Sequence, residues 1–86
     1  MRSYLVKARA KAGLTQREAA RALLISQNYL SDIEHGIRQK NIKLSTLKGF
    51  SRVYHVPTEV LIQLEEIFQN RLKRKEKNSN ENRHII

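Results

Sequence analysis

The sequence has no cysteine, a single proline and few acidic residues. Without cysteine the chain can form no disulfide, no thiolate nucleophile and no cysteine-ligated zinc or iron–sulfur site, so a reducing compartment suits it. It also lacks any apolar run of the ~18 residues that a membrane span requires, and its first residues lack the apolar core of a signal peptide. We therefore expect a soluble protein that is neither exported nor bound in a membrane.

What the chain has in excess is positive charge. Lysine and arginine number 17 against 8 aspartate and glutamate, which gives a formal net charge of +9. The surplus lies in residues 1–56, with 11 basic and 3 acidic side chains, whereas residues 57–86 have 6 and 5. Such a surplus predicts attraction to a polyanion, with nucleic acid the first suspect, and residues 1–56 are the part that we expect to bind it.

The length of 86 residues allows one small domain and is too short for a large multi-lobed enzyme. We find no nucleophile, acid/base pair or metal-binding cluster, and His35, His55 and His84 stand far apart. Glu34 is expected to bond locally or to pair with an arginine of the core. The sequence therefore predicts no catalytic residue, no metal and no cofactor.

Turn and capping signals divide residues 1–62 into short helices. The first covers residues 2–12 and ends at Gly13, which suits a left-handed C-cap. We expect its inward side to carry Leu5, Val6 and Ala10.

The second and third helices are separated by very few residues. Thr15 and Glu18 have the spacing of a capping box, so helix two is predicted to begin at Gln16. Ser26 offers the next N-cap only three residues after Leu23, which predicts a tight turn. Small alanines at the crossing and an apolar inner face complete a helix-turn-helix pattern. The inward residues are Ala19, Ala20 and Leu23 in helix two, and Ile25, Leu30 and Ile33 around helix three.

Two more helices follow a polar, basic loop at residues 37–43. Helix four is predicted from apolar residues at helical spacing, and Pro57 breaks it before helix five starts near Thr58. The stripe of helix four is Leu44, Leu47, Phe50, Val53 and Tyr54, and that of helix five is Val60, Leu61, Leu64, Ile67, Phe68 and Leu72.

The last helix is longer than a small domain needs. We place the domain at residues 1–62, an extension of the last helix at 63–77 and a frayed polar tail at 78–86. The surplus apolar residues either pack back on helix one or meet a two-fold partner, and dimerisation is the preferred interpretation. The basic run 71–77 is interpreted as a solvated helix end, with auxiliary phosphate contact the weaker alternative. The dimer candidates are Leu64, Ile67, Phe68 and Leu72.

Two segments resemble a known family, the Cro and phage-repressor-like (XRE-type) helix-turn-helix proteins. They are GLTQREAARALLISQNYLSDIEHG at 13–36 and LSTLKGFSRVYHVPTEVL at 44–61. The resemblance covers roughly residues 4–62 and implies an all-α, five-helix, lambda-repressor-like DNA-binding domain, here with an extended last helix. The family commonly has glycine where this chain has Leu24 and His55. A non-glycine residue can adopt the left-handed conformation at a cost of ~1–2 kcal/mol, so the resemblance survives both departures.

The resemblance also implies which side chains face DNA. Glutamine and asparagine amides can pair bidentately with adenine, and serine can donate or accept, so the predicted base readers begin with Gln27 and Asn28. Asp32 can accept from cytosine, but phosphates repel it, and a structural role is equally open. Gln16 either buttresses Gln27 or bonds a phosphate. The full set is Gln27, Asn28, Ser31 and Asp32 as base readers, with Thr15, Gln16, Arg17, Ser26, Tyr29, Arg38, Lys40 and Lys43 as backbone contacts or buttresses.

These expectations define a function and its competitors. The preferred one is a sequence-specific regulator, a repressor of a bacterial, phage or mobile-element promoter, bound as a homodimer to a (pseudo)palindromic double-stranded operator in the cytoplasm at the nucleoid. The alternative is an antitoxin that grips a toxin through its C-terminal helix and autoregulates its operon. The plainest alternative treats the polar face of helix three and the basic loop as ordinary solvated surface.

Overall fold

The computed structural model describes the backbone of residues 1–85 and the side chains of residues 1–74. No strand occurs in the described backbone, so the predicted all-α, five-helix fold is confirmed. The tail expected at 78–86 and the part of the basic run beyond residue 74 lie outside the described side chains. The helices are α1 (Ser3–Lys11), α2 (Gln16–Leu23), α3 (Gln27–Glu34), α4 (Leu44–Tyr54) and α5 (Thr58–Ile85).

Side-chain caps start α2 and α3 where the sequence predicted them. The Thr15 hydroxyl accepts from the Glu18 N–H (3.1 Å), and the Thr15 N–H donates to the Glu18 carboxylate (2.9 Å). The Ser26 hydroxyl accepts from the Tyr29 N–H (3.0 Å). Each bond satisfies a backbone donor that an uncapped helix would leave free. The two caps therefore fix where the helices begin and how short the turn between them is.

The two positions where the family commonly has glycine adopt the conformation that glycine favours. Leu24 ends α2 at φ 60°, and His55 ends α4 at φ 56°. The Leu24 side chain is 91% exposed, so it projects into solvent and does not disturb the packing of the two helices. Leu24 and His55 thus adopt the left-handed conformation that ends each helix, and this conformation strains the backbone of a non-glycine residue.

A single core joins all five helices. Leu30 and Ile33 of α3 are fully buried, and Ala19 and Ala20 let α2 approach its neighbours closely. Because α3 is held by its inner face, its outer face is presented at a fixed angle. The core residues are Leu5, Ala19, Ala20, Leu30, Ile33, Leu47, Phe50, Tyr54 and Leu61.

Three residues that were expected to face the core are exposed instead. Ala10 lies about 140° around α1 from the buried Leu5, on the opposite side. Leu44 is 52% exposed because it is the first residue of α4 and precedes the part of the helix that reaches the core. Val60 is 40% exposed, about 100° around α5 from the buried Leu61.

Helix α5 keeps contact with the rest of the molecule beyond residue 62. Glu65 is 7% exposed and accepts from Arg2 Nε (2.8 Å) and from the Tyr4 hydroxyl (2.7 Å). Burial and this hydrogen bond raise the pKa of Tyr4, which keeps the phenol a neutral donor. The Phe68 ring lies 4.9 Å from the guanidinium carbon of Arg2. The contacts continue to Gln69, which donates to the Lys40 carbonyl.

Candidate nucleic-acid interface

The amino-terminal end of α3 presents two amide side chains to solvent. Gln27 and Asn28 are both exposed, as predicted for groups that read base edges. Gln27 Nε2 donates to Gln16 Oε1 at 3.4 Å, so the two glutamines, one from the start of each helix, are neighbours. This is the buttressing arrangement considered for Gln16, and it limits the rotamers of Gln27 before any ligand binds.

A buried carboxylate anchors the other end of α3. Glu34 is 1% exposed and accepts from Arg9 Nε of α1 (2.9 Å) and from Gln16 Nε2 of α2 (2.9 Å). The expected pairing of Glu34 with a core arginine is therefore present. Because Gln16 bonds both Glu34 and Gln27, a continuous polar chain runs from the buried anchor to the exposed start of the helix.

Ser31 and Asp32 lie one turn further along α3 and are half-buried, not exposed as expected. Helix α3 ends just after them in a local turn, in which the N–H groups of Ile37 and Arg38 donate to the Asp32 carbonyl (2.8 and 3.2 Å). The Asp32 carboxylate lies 3.6 Å from Arg38 Nε, and the Ser31 hydroxyl lies 3.4 Å from His35 Nδ1. The Asp32–Arg38 pair is too exposed to stabilise the fold much, but it places an acidic and a basic group of the surface side by side.

The loop between α3 and α4 is tied to both helices through a residue that sequence analysis missed. Gln39 Nε2 donates to the Tyr29 hydroxyl (2.8 Å). Gln39 Oε1 accepts from the Lys43 N–H (3.2 Å) and the Thr46 hydroxyl (2.9 Å). No periodicity or capping pattern marks a glutamine in such a loop, so its role becomes visible only when the three partners are brought together.

The predicted backbone-contacting groups are distributed over the helix starts and this loop. The loop cations Arg38, Lys40 and Lys43 are exposed. Thr15 and Ser26 are exposed at the positive ends of α2 and α3, where free N–H groups favour an anion. The structure thus places N–H donors at the starts of α2 and α3 and cationic side chains on the loop that follows α3. Both kinds of group can bind a phosphate backbone.

The comparisons with known proteins bear on this surface. A family model described as helix-turn-helix matches residues 5–69. The chain belongs to the XRE-type helix-turn-helix family. Members of this family are DNA-binding transcriptional regulators, and the membership confirms the predicted resemblance.

One characterised relative of this XRE-type chain is the HTH-type transcriptional regulator ImmR of Bacillus subtilis (strain 168). The two are 41% identical over 63 residues, which is 73% of this chain and 48% of that protein. The chain therefore spans about half the length of the curated relative that it matches. No solved structure matches the chain.

The predicted dimer residues of this XRE-type protein have different environments. Phe68 and Leu64 are half-buried, and the Phe68 ring lies against Arg2, the residue that precedes α1. Ile67 and Leu72 are 48% and 37% exposed. All four line a groove of about 540 Å³ between the start of α1 and the middle of α5.

Two further observations concern other kinds of site. Within the residues that the structure describes, no three histidine, aspartate or glutamate side chains are grouped as a metal ion would require. The helices described here include none with the length and apolar character to cross a bilayer.

Proposed function

We propose that this chain is a sequence-specific regulator that inserts the start of α3 into the major groove of double-stranded DNA and represses the promoter that it occupies. One observation carries the proposal: Gln27 and Asn28 are exposed at the start of a helix whose opposite end is fixed by the buried Glu34. A major groove about 12 Å wide accepts a helix held in this way. Repression then requires only that the bound domain covers the promoter.

Base reading is assigned first to Gln27 and Asn28. Their amides can each form two hydrogen bonds with adenine, and a good bidentate pair contributes about 1–3 kcal/mol of discrimination. Ser31 and Asp32 lie deeper and are half-buried, so we assign them a secondary part in reading. Asp32 faces Arg38 at 3.6 Å, which favours a structural or discriminating role for this carboxylate.

Contacts with the phosphate backbone are assigned to the starts of α2 and α3 and to the basic loop that follows α3. The charge of residues 1–56, with 11 basic and 3 acidic side chains, supports this assignment. Each neutralised phosphate would steepen the salt dependence of binding by about 0.9 logarithmic units per decade. The assigned contacts or buttresses are Thr15, Gln16, Arg17, Ser26, Tyr29, Arg38, Lys40 and Lys43.

The active form is proposed to be a homodimer on a (pseudo)palindromic operator, acting in the cytoplasm at the nucleoid. A two-fold partner would cover the exposed Ile67 and Leu72, with Leu64 and Phe68 at the base of the groove. Two half-sites one helical turn apart, about 34–36 Å, are the spacing that such a dimer would read. The antitoxin alternative is not adopted, because the matched relative is described as a transcriptional regulator and nothing favours a toxin partner on α5.

The test is to recover the DNA fragments that the protein binds from a genomic library and to measure affinity for one of them. Gln27→Ala and Asn28→Ala should each lower the ratio of specific to non-specific affinity by about 10- to 100-fold. Lys40→Ala should weaken all duplexes alike and make the salt dependence shallower.

Gln63→Ala is the matched control, since it removes an exposed amide from α5, far from the reading helix in the chain. Two results would contradict the proposal. One is the absence of affinity for any duplex at low salt, and the other is a sequence preference that survives both amide substitutions.

A further inference from the structure

Arg2 is a fully buried arginine that joins three parts of the molecule. Its guanidinium donates to the Glu65 carboxylate through Nε (2.8 Å) and Nη2 (3.2 Å), and it lies over the Phe68 ring. Nη1 donates to the Ile33 carbonyl (2.7 Å), and the Arg2 N–H donates to the Glu34 carbonyl (2.7 Å). Arg2 therefore adds donors to the last two carbonyls of α3, of which that of Ile33 also accepts from the Gly36 N–H (3.1 Å), and it fixes that end of the helix to α5.

The same guanidinium also holds the basic loop. Nη1 donates to the Arg38 carbonyl (3.3 Å), and Nη2 donates to the carbonyls of Gln39 and Lys40, the latter at 3.3 Å. Three consecutive carbonyls thus turn inward to one cation, while the side chains of Arg38 and Lys40 are exposed. The planar fork of an arginine has five N–H donors, so two of these six acceptors share one N–H group, whereas a lysine ammonium has only three.

The other ties of the loop are also polar: the Gln39 side chain bonds Tyr29, Lys43 and Thr46, and two N–H groups of the loop bond the Asp32 carbonyl. Gln39 adopts φ 49°, a conformation that a non-glycine residue disfavours, and Ile37 is 63% exposed. Gln69 Nε2 donates to the Lys40 carbonyl and to Glu65 (2.8 Å), which adds a second tie from α5. With little apolar burial at its tip, the loop depends on these polar ties for a defined conformation.

We propose that Arg2 is a positioning residue for DNA binding, because its hydrogen bonds to the carbonyls of residues 38–40 determine where the Arg38 and Lys40 side chains contact the phosphates. The inference rests on the proposed function. Arg2 itself contacts no DNA, since its side chain is 0% exposed. Arg2 acts through the loop. Because it also bonds Glu65, which lies 63 residues away in the chain, it makes the position of the loop depend on the position of α5.

The experiment compares Arg2→Gln with Arg74→Gln, which removes the same charge from an exposed position on α5. Both are assayed at a temperature where circular dichroism shows the variant to be folded. Arg2→Gln should raise Kd about tenfold on specific and non-specific duplexes alike, and should reduce the slope of log K against log salt by about 1–2, one unit per lost phosphate contact. Arg74→Gln should retain the wild-type slope.

A loss of stability alone would not change that slope in the folded protein, so the slope separates positioning from structural support. Lys40→Ala added to Arg2→Gln should cost much less affinity than Lys40→Ala alone, because the loop has already lost its placement. If Arg2→Gln fails to fold, Gln69→Ala removes the milder tie and should change the slope in the same direction.

Hydrogen exchange of the free protein supplies a measurement that needs no DNA. In Arg2→Gln or Gln69→Ala, the amides of residues 38–41 should exchange faster while those of α2 keep their wild-type rates. A folded Arg2→Gln protein with the wild-type salt slope and additive Lys40→Ala cost overturns the positioning role while DNA binding stands. A wild-type protein without affinity for DNA overturns the proposed function and this inference together.

Discussion

Helix α3 has an exposed amino-terminal end and a buried carboxyl-terminal end. At the first, Ser26 caps the helix and Gln27 and Asn28 face solvent. At the second, Glu34 is enclosed by Arg9 and Gln16, and Arg2 binds the last carbonyls. The difference separates two tasks: the buried ion pair that holds the helix lies at its carboxyl-terminal end, and the two exposed amides lie at its amino-terminal end. The exposed end is connected to the anchored one through the helix itself and through Gln16, which bonds both Glu34 and Gln27.

The largest expected effect tests the anchored end. Glu34→Ala removes a carboxylate that is 1% exposed, so the Arg9 guanidinium, 17% exposed, loses its counter-ion and Gln16 Nε2 loses its acceptor. Removing one member of a buried ion pair costs about 3–5 kcal/mol. We expect a decrease of this size in the free energy of unfolding, measured by urea denaturation followed by circular dichroism.

Asn28→Ala is the control at the opposite end of the same helix. Its side chain is exposed, so the free energy of unfolding should stay within about 0.5 kcal/mol of the wild type. Equal effects of the two substitutions would abolish the distinction between the ends. Replacing both Arg9 and Glu34 by apolar residues should cost less than Glu34→Ala alone, because no charge is then left buried without a partner.

A smaller effect is expected from the cap of the exposed end. Ser26→Ala removes the acceptor of the Tyr29 N–H and should destabilise the protein by about 1 kcal/mol. Ser45→Ala, on an exposed serine near the start of α4 where no side-chain cap is present, should change stability by less than half of that. A cost for Ser26→Ala as large as that of Glu34→Ala would mean that the exposed end is anchored as firmly as the buried one.

The sequence predicted the exposed end of α3 better than the buried end. Caps and prolines act on residues three or four positions away, so Thr15, Ser26 and Pro57 specified where helices begin and end. The anchor of the buried end depends on pairs distant in the chain. Arg2 and Glu65 are 63 residues apart, and nothing local in the sequence distinguishes Arg2 from an ordinary solvated arginine.

The same reasoning explains where the exposure of the site residues differs from the expectation. Gln27 and Asn28 are exposed because helical periodicity alone decides their side of α3. Ser31 and Asp32 have the same periodicity but are half-buried, and residues that follow the helix lie beside them: His35 Nδ1 is 3.4 Å from the Ser31 hydroxyl, and Arg38 Nε is 3.6 Å from the Asp32 carboxylate. The path of an irregular loop, and with it the part of Gln39, is set by tertiary hydrogen bonds that a sequence pattern does not display.

The turn that leads into α3 allows a stabilising prediction. Leu24 is 91% exposed at φ 60°, so Leu24→Gly relieves the left-handed strain without losing packing. Relief of the strain should stabilise the folded protein by about 1–2 kcal/mol. Glycine also raises the conformational entropy of the unfolded chain, which offsets about 0.4–1 kcal/mol of this gain. We expect a net stabilisation of about 0.5–1 kcal/mol in thermal or urea unfolding.

Ala10→Gly is the contrasting substitution, since Ala10 is exposed within the regular helix α1, and it should destabilise by about 1 kcal/mol. If both substitutions destabilise equally, Leu24 is not strained. A stabilised Leu24→Gly protein with unaltered DNA affinity would also show that the turn need not contain a leucine to orient α3.

The smallest effect concerns acid and separates the cap of α2 from that of α3. The Thr15 backbone N–H, and then its hydroxyl, hold the pKa of Glu18 below the ordinary value of 4.5. Because this pKa is lower in the folded protein than in the unfolded chain, the capping box contributes fully above the unfolded pKa and its contribution is lost as the pH falls through the folded one. The position equivalent to Glu18 in α3 is Tyr29, which has no carboxylate, so the cap of α3 should keep its contribution to stability in acid. An NMR titration of the Glu18 carboxyl should therefore give a midpoint below 4.5. The variant Glu18→Gln can keep the capping bond but cannot be protonated, so the contribution of the cap to the free energy of unfolding should no longer decrease in acid. A midpoint at or above the ordinary value would show that the Thr15–Glu18 bond does not persist in solution, and the start of α2 would then be no better fixed against acid than an uncapped helix.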